Sequence, residues 1–310
     1  MFKKLLAILL TCLMLLPCGV AMAGEAETHS SGAYKYTISG DGSATITDYT
    51  GKAKALTIPS ELDGHPVTAI GYGAFVDCDS LTSITLPDGL TSIGDRAFAS
   101  CASLTSITLL DSISSIGENP FANCKKLTQI TVSPDNPTLA TIDGVLFEKP
   151  TRTLICYPCA FTAGSYAVPQ GIQAIGDSAF FDCDALATIT LPDSVTTIGD
   201  SAFYDCESLA SITLPDSVTS IGERAFSWCT SLTTITLPDS VTSIGGGAFL
   251  SCKSLTTITL PDSVTSIGKY AFAECPKLTL TVPRDSYALA YAKENGIPYT
   301  YTDSMDWLNG

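Results

Sequence analysis

Positive charge is scarce in this sequence. Lys and Arg together number 16 against 31 Asp and Glu, which gives a formal net charge of −15, and charged residues make up only 15% of the chain. Nucleic-acid binding needs rows of Lys and Arg that displace counterions from phosphates, and anionic membrane surfaces attract the same residues. The composition therefore argues against both kinds of partner, while the 45% hydrophobic content predicts a folded protein.

Histidine is also scarce, with only His29 and His65 in the chain. Neither lies in a nucleophile motif with serine or cysteine, and the two do not have the spacing of zinc ligands. Aspartates such as Asp193 and Asp216 recur after proline, a position typical of turns, and the glycine-rich calcium-binding nonapeptide is absent. No general base, nucleophile or metal cluster can be assembled, so the sequence predicts neither an enzyme nor a cofactor.

Outside the N-terminus the chain lacks a second long apolar segment. Lys3 and Lys4 precede an apolar run over residues 5–16, and Ala21-Met22-Ala23 supplies a small-residue cleavage pattern. The run is shorter than the roughly 20 residues that a membrane-spanning helix needs. These features predict a secretory signal peptide.

The signal peptide is expected to cover residues 1–23, followed by a polar tail over 24–32. An acylated Cys18 would provide an alternative membrane anchor, but Pro17 stands where lipoprotein signals usually have a small residue. We therefore expect a secreted protein, or one associated with the cell surface, that does not insert stably into a membrane.

A repeat of 23 residues dominates the remainder. Residues 186–208 have the sequence LATITLPDSVTTIGDSAFYDCES, residues 209–231 have LASITLPDSVTSIGERAFSWCTS, and further blocks begin at Leu81, Leu104, Leu232 and Leu255. Repeats of 20–29 residues with an L-x-x-L-x-L core indicate leucine-rich repeats. The fold class predicted is a repeat solenoid, α/β to mostly β, whose rungs stack about 4.8 Å apart around one continuous core.

Each segment of the repeat has a physical role. The Ile-x-Leu step alternates apolar and polar residues, which predicts a strand with one buried face. Proline ends that strand because it lacks the N–H that a ladder needs. The Ile-Gly pair, as at Ile198-Gly199, predicts a corner that residues with a Cβ resist. The three-residue step from Phe203 to Cys206 predicts a short helical turn that faces inward.

These blocks resemble the BspA-type leucine-rich repeats of bacterial secreted and surface proteins. The resemblance is carried by LTTITLPDSVTSIG at residues 232–245 and by the AFxxC that follows in most blocks, and it covers roughly residues 33–303. It implies a right-handed solenoid with a parallel sheet on the concave face and short helical turns on the convex face. It also implies a role in adhesion or protein binding.

Three segments depart from the regular repeat. They divide the chain after residue 32 into an N-terminal cap and first rung over 33–80, repeats over 81–126, an irregular repeat over 127–185, 23-residue repeats over 186–277 and a C-terminal cap over 278–310. The irregular repeat contains GVLFEK and TLICYP around a Pro-Thr-Arg turn, which predicts a β-hairpin insertion at 145–157. The C-terminal cap is expected to contain a short helix and a strand that cover the last rung.

Cysteine recurs at the end of the repeat, and eight cysteines share one register: Cys78, Cys101, Cys124, Cys183, Cys206, Cys229, Cys252 and Cys275. Stacking would place them about 5 Å apart with parallel Cβ directions, a poor match to the ~3.8 Å Cβ separation of disulfides, so buried thiols are predicted. Cys156 and Cys159 lie outside this register, in the predicted hairpin. They are expected to form a local disulfide or to remain as idle thiols, because a strand offers no helix N-terminus to activate them.

The outward positions of the predicted strands form the candidate binding surface. They carry hydroxyl groups and no charge, and comprise Ser83, Thr85, Ser106, Thr108, Thr188, Thr190, Ser211, Thr213, Thr234, Thr236, Thr257 and Thr259. Threonine also simply suits strands, but solenoids commonly bind through this face. A neutral hydroxyl and methyl surface suits a protein or a glycan on another cell or matrix surface. Specificity is expected from the irregular hairpin or the N-terminal cap.

Three functions remain open. The first is a secreted or cell-surface scaffold for adhesion or protein binding. The second is a structural extracellular matrix protein that self-associates through its ends or flat faces. The third is ice binding by the Thr-x-Thr array of the regular sheet.

Overall fold

The computed structural model describes residues 27–303, so the predicted signal peptide lies outside the described residues. The first strand of each regular repeat pairs in parallel with its counterpart 23 residues along the chain. Thr188 lies opposite Ser211, and Ser211 lies opposite Thr234. The central isoleucine of these strands is buried while its two neighbours are exposed, as the alternating pattern predicts. The predicted repeat solenoid is confirmed.

Short strands and one helix make up the regular structure of residues 27–303. In chain order the strands are β1 (Thr28–Ser31), β2 (Tyr34–Ile38), β3 (Ala44–Tyr49), β4 (Ala55–Thr57), β5 (Glu61–Leu62), β6 (His65–Ile70), β7 (Ser83–Thr85), β8 (Ser92–Ile93), β9 (Ser106–Leu109), β10 (Ser115–Ile116), β11 (Gln129–Val132), β12 (Leu139–Ile142), β13 (Val145–Glu148), β14 (Thr153–Cys156), β15 (Ser165–Ala167), β16 (Ala174–Ile175), β17 (Thr188–Thr190), β18 (Thr197–Ile198), β19 (Ser211–Thr213), β20 (Ser220–Ile221), β21 (Thr234–Thr236), β22 (Ser243–Ile244), β23 (Thr257–Thr259), β24 (Ser266–Ile267), β25 (Thr279–Val282) and β26 (Tyr299–Tyr301). The helix, α1, spans Tyr287–Glu294.

Each regular repeat contributes a second strand of two residues, which the sequence pattern did not predict. These strands form parallel ladders of their own, in the orders β6-β8-β10 and β14-β16-β18-β20-β22-β24. Ile221 lies between Ile198 and Ile244 in the second of these ladders, and all three side chains are buried. Isoleucines from both strands of a rung therefore fill the same core.

The glycine after this second strand has a role that differs from the predicted corner. The backbone of Gly222 does not adopt a positive φ. A Cβ atom at Gly222 would lie 2.5 Å from the carbonyl carbon of Gly199 and 2.6 Å from the amide nitrogen of Asp200. The amide of Gly222 also donates to the carbonyl oxygen of Ile198 at 2.9 Å. The close approach of consecutive rungs, rather than an unusual backbone torsion, requires glycine here.

The Ala-Phe-x-x-Cys segment folds as successive β-turns instead of the predicted short helical turn. Bonds within one rung run from Ala225 N to Gly222 O, from Ser227 N to Arg224 O and from Cys229 N to Phe226 O, at 3.0–3.4 Å. The intervening amides donate to the next rung, from Arg224 N to Gly246 O, from Phe226 N to Ala248 O and from Trp228 N to Leu250 O, at 2.7–2.9 Å. A helix would use its interior amides within its own segment. Here alternate amides are released to join neighbouring rungs.

The phenylalanines of this segment stack along the core. The ring centroid of Phe226 lies 5.2 Å from that of Phe203 and 5.4 Å from that of Phe249, with nearly parallel planes. All three side chains are fully buried. Because an aromatic pair contributes about 0.5–1.5 kcal/mol beyond its burial, each ring stabilises both adjacent rungs.

The antiparallel segment 139–156 divides the core in two. Strands β12, β13 and β14 pair antiparallel, and β14 then pairs in parallel with β16. Side chains at 145, 147 and 154 join the core of the rungs that follow, whereas those at 146 and 155 join the core of the rungs that precede. Successive side chains of a strand point to opposite faces. The strands of the hairpin therefore form a buried wall shared by two cores, while its turn at residues 149–152 is exposed.

Additional elements lie at both ends of the solenoid. Strand β1 pairs antiparallel with β2, so residues 28–31 of the predicted polar tail form part of a sheet. Ser31 Oγ and Tyr36 Oη both donate to the Asp63 carboxylate at 2.8 Å, which fixes this strand to the first rung. At the other end, the Ser286 side chain accepts a hydrogen bond from Leu289 N and caps α1, and β26 extends the last sheet in parallel with β25.

Candidate binding surface

The outward side chains of the first strands form two rows of hydroxyl groups. One row contains Ser83, Ser106, Thr188, Ser211, Thr234 and Thr257, and the other contains Thr85, Thr108, Thr190, Thr213, Thr236 and Thr259. All of these residues are exposed except Ser106, which is half-buried. None of them is charged, so the rows form a neutral surface on a protein of net charge −15.

The structure divides these twelve residues between two sheets. The four residues from Ser83 to Thr108 lie in the sheet β4-β7-β9-β11, and the other eight lie in the sheet that runs from β15 to β26. This second sheet extends the rows with Thr279 and Thr281, and Thr281 Oγ1 lies 3.3 Å from Thr300 Oγ1. Sequence reasoning missed this extension because Thr279 pairs with Thr257 at a spacing of 22 residues, one shorter than the repeat.

A neighbouring set of threonines is engaged in holding the rungs together. Thr233 Oγ1 donates to Ala210 O, and Thr256 Oγ1 donates to Thr233 O, each at 3.2 Å. The adjacent residues Thr234 and Thr257 are exposed, and their hydroxyls have no hydrogen-bond partner among residues 27–303. Of these two sets of threonines, the outward rows therefore present free donors and acceptors to a partner.

A row of carboxylates borders the second sheet. It consists of Asp193, Asp216, Asp239 and Asp262, each exposed and three residues after the second-row threonine of its rung. A shallow cavity of about 450 Å³ lies near the C-terminal end of this row, and its lining includes Asp239, Asp262, Thr259 and Thr302. Hydroxyl and carboxylate oxygens are thus brought together, an arrangement suited to a partner rich in hydrogen-bond donors.

Residues 27–303 contain no group of three or more His, Cys, Asp or Glu side chains placed to hold a metal ion. Both histidines pack within the N-terminal cap: His65 Nδ1 lies 2.9 Å from Gly42 O, and the His29 ring lies 5.4 Å from the Tyr36 ring. Neither contacts a serine or cysteine nucleophile in the hydrogen bonds described for these residues.

In residues 27–303, no helix combines the length and apolar character needed to cross a membrane.

The cysteines of the repeat form a row of thiols along the core. Cys206, Cys229 and Cys252 are fully buried, and each Sγ donates to the carbonyl oxygen of the phenylalanine 26 residues earlier, at 3.0–3.1 Å. Burial raises the pKa of the Cys206 thiol well above its ordinary value. Because the thiolate is the reactive form, burial protects Cys206 from direct attack on reagents in solution.

Cys156 and Cys159, expected to form a local disulfide or to remain as idle thiols, are both free thiols in the structure. Cys156 joins the core that precedes the buried wall, whereas Cys159 packs against the core that follows it. The two side chains therefore serve different cores. Cys159 Sγ instead lies 3.1 Å from Cys183 Sγ.

The repeats of this chain match a known protein family. The model of the BspA type leucine-rich repeat region matches residues 48–156 and 155–279, with six copies of the repeat. The chain belongs to the BspA-type leucine-rich repeat family. Leucine-rich repeat proteins are typically non-enzymatic scaffolds that bind other proteins. No curated protein matches the chain.

Solved bacterial structures share the fold of this BspA-type protein. A leucine-rich cell surface protein from Faecalibacterium prausnitzii is 26% identical with a TM-score of 0.62, and the match covers 93% of this chain and 98% of that one. A leucine-rich repeat protein from Eubacterium ventriosum is 24% identical with a TM-score of 0.53, covering 82% and 90%. The pneumococcal vaccine antigen PcpA is 18% identical with a TM-score of 0.57, covering 90% and 99%. The last two similarities concern the fold alone.

Proposed function

We propose that this BspA-type protein is an exported, non-catalytic scaffold that binds a protein or glycan of another cell or matrix surface. The observation that carries the proposal is the array of free, uncharged hydroxyls on the sheet from β15 to β26. Parallel pairing holds Thr188, Ser211, Thr234 and Thr257 in register, so the array is rigid before a partner arrives. Preorganisation of this kind lowers the entropic cost of association.

The chemistry of the array favours partners that donate hydrogen bonds. Threonine methyl groups contact apolar surface, while the hydroxyls exchange hydrogen bonds without the cost of desolvating a charge. The adjacent carboxylates of Asp216 and Asp239 accept hydrogen bonds from sugar hydroxyls or from Lys and Arg side chains. A strongly acidic partner would be repelled by a protein of net charge −15.

Export forms part of the same proposal. It is supported by the signal-peptide pattern of residues 1–23 and by the similar protein of F. prausnitzii, which is described as a cell surface protein. Mass spectrometry of the protein recovered from the medium and from the cell surface tests this expectation. A mature N-terminus at residue 24 supports export, and a cytoplasmic protein that retains residues 1–23 contradicts it.

The binding test compares two double variants on cells, arrayed glycans and matrix proteins. The first variant combines Thr213→Lys and Thr236→Lys and changes the proposed surface. The matched control combines Thr197→Lys and Ser266→Lys and adds the same charge at exposed positions of the two-residue second strands. We expect saturable binding by the unmodified protein, at least tenfold weaker binding by the first variant, and unchanged binding by the control. Equal effects of the two variants would place the binding site elsewhere, and absence of binding by the intact protein would remove the proposal.

A structural, self-associating role is the second candidate. It is supported by exposed aromatic side chains in the turns of the first and last rungs. Tyr72 in the first rung and Tyr270 in the last are each 71% exposed. Apolar surface at opposite ends favours head-to-tail contacts between copies. Sedimentation at increasing concentration tests this role. Growing assemblies that Tyr270→Ser dissolves would support it, whereas a monomer at all concentrations would reject it.

A further inference from the structure

The thiols of the regular repeats each make the same type of hydrogen bond, and Cys183 does not follow this pattern. In Cys101, Cys124, Cys206, Cys229, Cys252 and Cys275, the Sγ atom lies 3.0–3.2 Å from the carbonyl oxygen of the phenylalanine 26 residues earlier. The equivalent oxygen for Cys183 belongs to Tyr157, and that distance is 3.8 Å. Cys183 Sγ instead lies 3.1 Å from Cys159 Sγ.

The cause lies in the partial rung that follows the buried wall. Tyr157 takes the place of the repeat phenylalanine, since its amide donates to Ala179 O at 2.9 Å and its ring stacks on Phe180 with centroids 5.0 Å apart. Cys159 follows Tyr157 by two residues, whereas the repeat cysteine follows its phenylalanine by three. This shortened step places Cys159 Sγ 3.1 Å from Phe181 O and beside Cys183.

The two thiols differ in their access to solvent. Cys159 is half-buried, whereas the Cys183 side chain is only 1% exposed. A reagent in solution therefore reaches Cys159 first, and Cys183 is approached only through its contact with Cys159.

We propose that Cys159 and Cys183 form a disulfide bond when the folded protein meets a small-molecule disulfide such as oxidised glutathione. The sulfurs are separated by about 1 Å more than the ~2.05 Å of a disulfide, so a small side-chain movement brings them to bonding distance. Oxidising compartments outside the cytoplasm supply such oxidants, which is where the proposed export would carry the protein.

The reaction proceeds in two exchange steps. The Cys159 thiolate attacks one sulfur of glutathione disulfide, forms a mixed disulfide and releases one glutathione thiolate. The Cys183 thiol then loses its proton and attacks Cys159 Sγ, which releases the second glutathione. Two protein thiols are oxidised to one disulfide, one glutathione disulfide is reduced to two thiols, and the two protons end on glutathione. Cys159 attacks first because it is half-buried, whereas Cys183 is only 1% exposed. Burial also raises the pKa of Cys183.

The bond would link the partial rung that follows the buried wall to the next rung of the same core. Cys159 follows the buried wall 139–156, and Cys183 belongs to the rung just before the regular repeats from 186 onward, 24 residues further along the chain. Such a link restricts the unfolded chain and therefore raises the melting temperature of the oxidised protein.

Peptide mapping of the purified protein tests the proposal. The folded protein is incubated with excess oxidised glutathione, its remaining thiols are alkylated in denaturant, and the chain is cleaved before aspartates. Cleavage at Asp177 and Asp182 separates Cys183 from the peptide that contains Cys156 and Cys159. We expect a disulfide-linked peptide pair in the unmodified protein, in Cys156→Ser and in the half-buried control Cys275→Ser, and its loss in Cys159→Ser.

A melting measurement provides a second readout. The unmodified protein is expected to melt several degrees higher after oxidation than after reduction, and Cys159→Ser is expected to show no such difference. The proposal is overturned if Cys183 remains alkylatable in the unmodified protein after oxidation. It is also overturned if Cys159 is recovered as a stable glutathione adduct or linked to Cys156.

Discussion

Replacing Gly222 by alanine tests whether close contact between rungs determines the stability of the solenoid. The new Cβ atom would lie 2.5 Å from the carbonyl carbon of Gly199 and 2.6 Å from the amide nitrogen of Asp200. Ordinary van der Waals contact begins at 3.4 Å, and both neighbouring atoms belong to the backbone, so no flexible side chain can move aside. The rungs would therefore have to separate by nearly 1 Å at this point.

The expected loss follows from three contributions. Overpacking of a tightly packed site typically costs about 1–3 kcal/mol. Separation also stretches the hydrogen bond from Gly222 N to Ile198 O, now 2.9 Å, and a lost backbone hydrogen bond costs about 0.5–1.5 kcal/mol. The lower entropy of alanine in the unfolded chain returns about 0.4–1 kcal/mol. We expect a net decrease of about 2–3 kcal/mol in the free energy of unfolding.

Equilibrium urea unfolding followed by circular dichroism measures this decrease, and Gly246→Ala provides the matched control. Gly246 lies in the next rung, and the nearest atom to a Cβ placed there is Lys269 O at 3.4 Å. The control is expected to match or slightly exceed the stability of the unmodified protein. Equal midpoints for the two variants would refute the explanation of these glycines by close rung contact.

Three further predictions concern buried side chains. The Asn136 side chain donates to two backbone carbonyls at 2.7 and 2.9 Å and accepts from two backbone amides. We expect Asn136→Leu to lower the free energy of unfolding, measured by urea unfolding, by about 3 kcal/mol or more, and a loss below about 1 kcal/mol would contradict this. Burial raises the pKa of the Cys206 thiol above that of a cysteine in the unfolded chain, so its contribution to the free energy of unfolding is fully present below about pH 8.5 and falls by about 1.4 kcal/mol per pH unit above it. The difference in stability between the unmodified protein and Cys206→Ala across pH 8–10 measures this fall, and a constant difference would show that the thiol ionises equally in both states. Leu146→Ala and Phe147→Ala are expected to accelerate hydrogen exchange in residues 44–132 and 165–282 respectively, because the side chains enter different cores, and identical exchange patterns would contradict the two-core arrangement.

The parts of the fold that were predictable from sequence are those with a clear period. The Ile-x-Leu alternation and the 23-residue spacing define the first strand and its parallel register. The second strand, exemplified by Ser220–Ile221, has only two residues, too few for an alternation to be recognised. The turns were mistaken for helical because a three-residue step from Phe to Cys is compatible with both. The positive φ angles of Arg224 and Trp228 distinguish these turns from a helix. Neither arginine nor tryptophan is a residue type from which a positive φ would be predicted.

The role of the hairpin was missed although the sequence contains a signal for it. Val145, Leu146 and Phe147 are consecutive apolar residues, as are Leu154 and Ile155. A strand exposed on one face alternates, whereas a strand buried on both faces is continuously apolar. The continuous runs therefore indicated a wall between two cores. Which cysteine approaches Cys183 was not predictable in the same way, because it depends on the length of one turn after Tyr157.

Uniformity of the hydroxyl rows limits how a partner is recognised, and this leads to a last prediction. Since Thr213, Thr236 and Thr259 present the same group at the same spacing, a partner displaced by one rung would find nearly the same contacts. Residues that occur once must then fix its register.

The C-terminal end of the array offers such residues. The Arg284 guanidinium lies 3.9 Å from the Tyr301 ring centroid and binds the Asp303 carboxylate at 3.0–3.1 Å, next to the last strand of the sheet. We expect Tyr301→Ala to change which glycans or proteins are retained on an array, and Thr236→Ala to weaken all of them together. A uniform loss in Tyr301→Ala would instead mean that the end of the sheet adds contact area without selecting the partner.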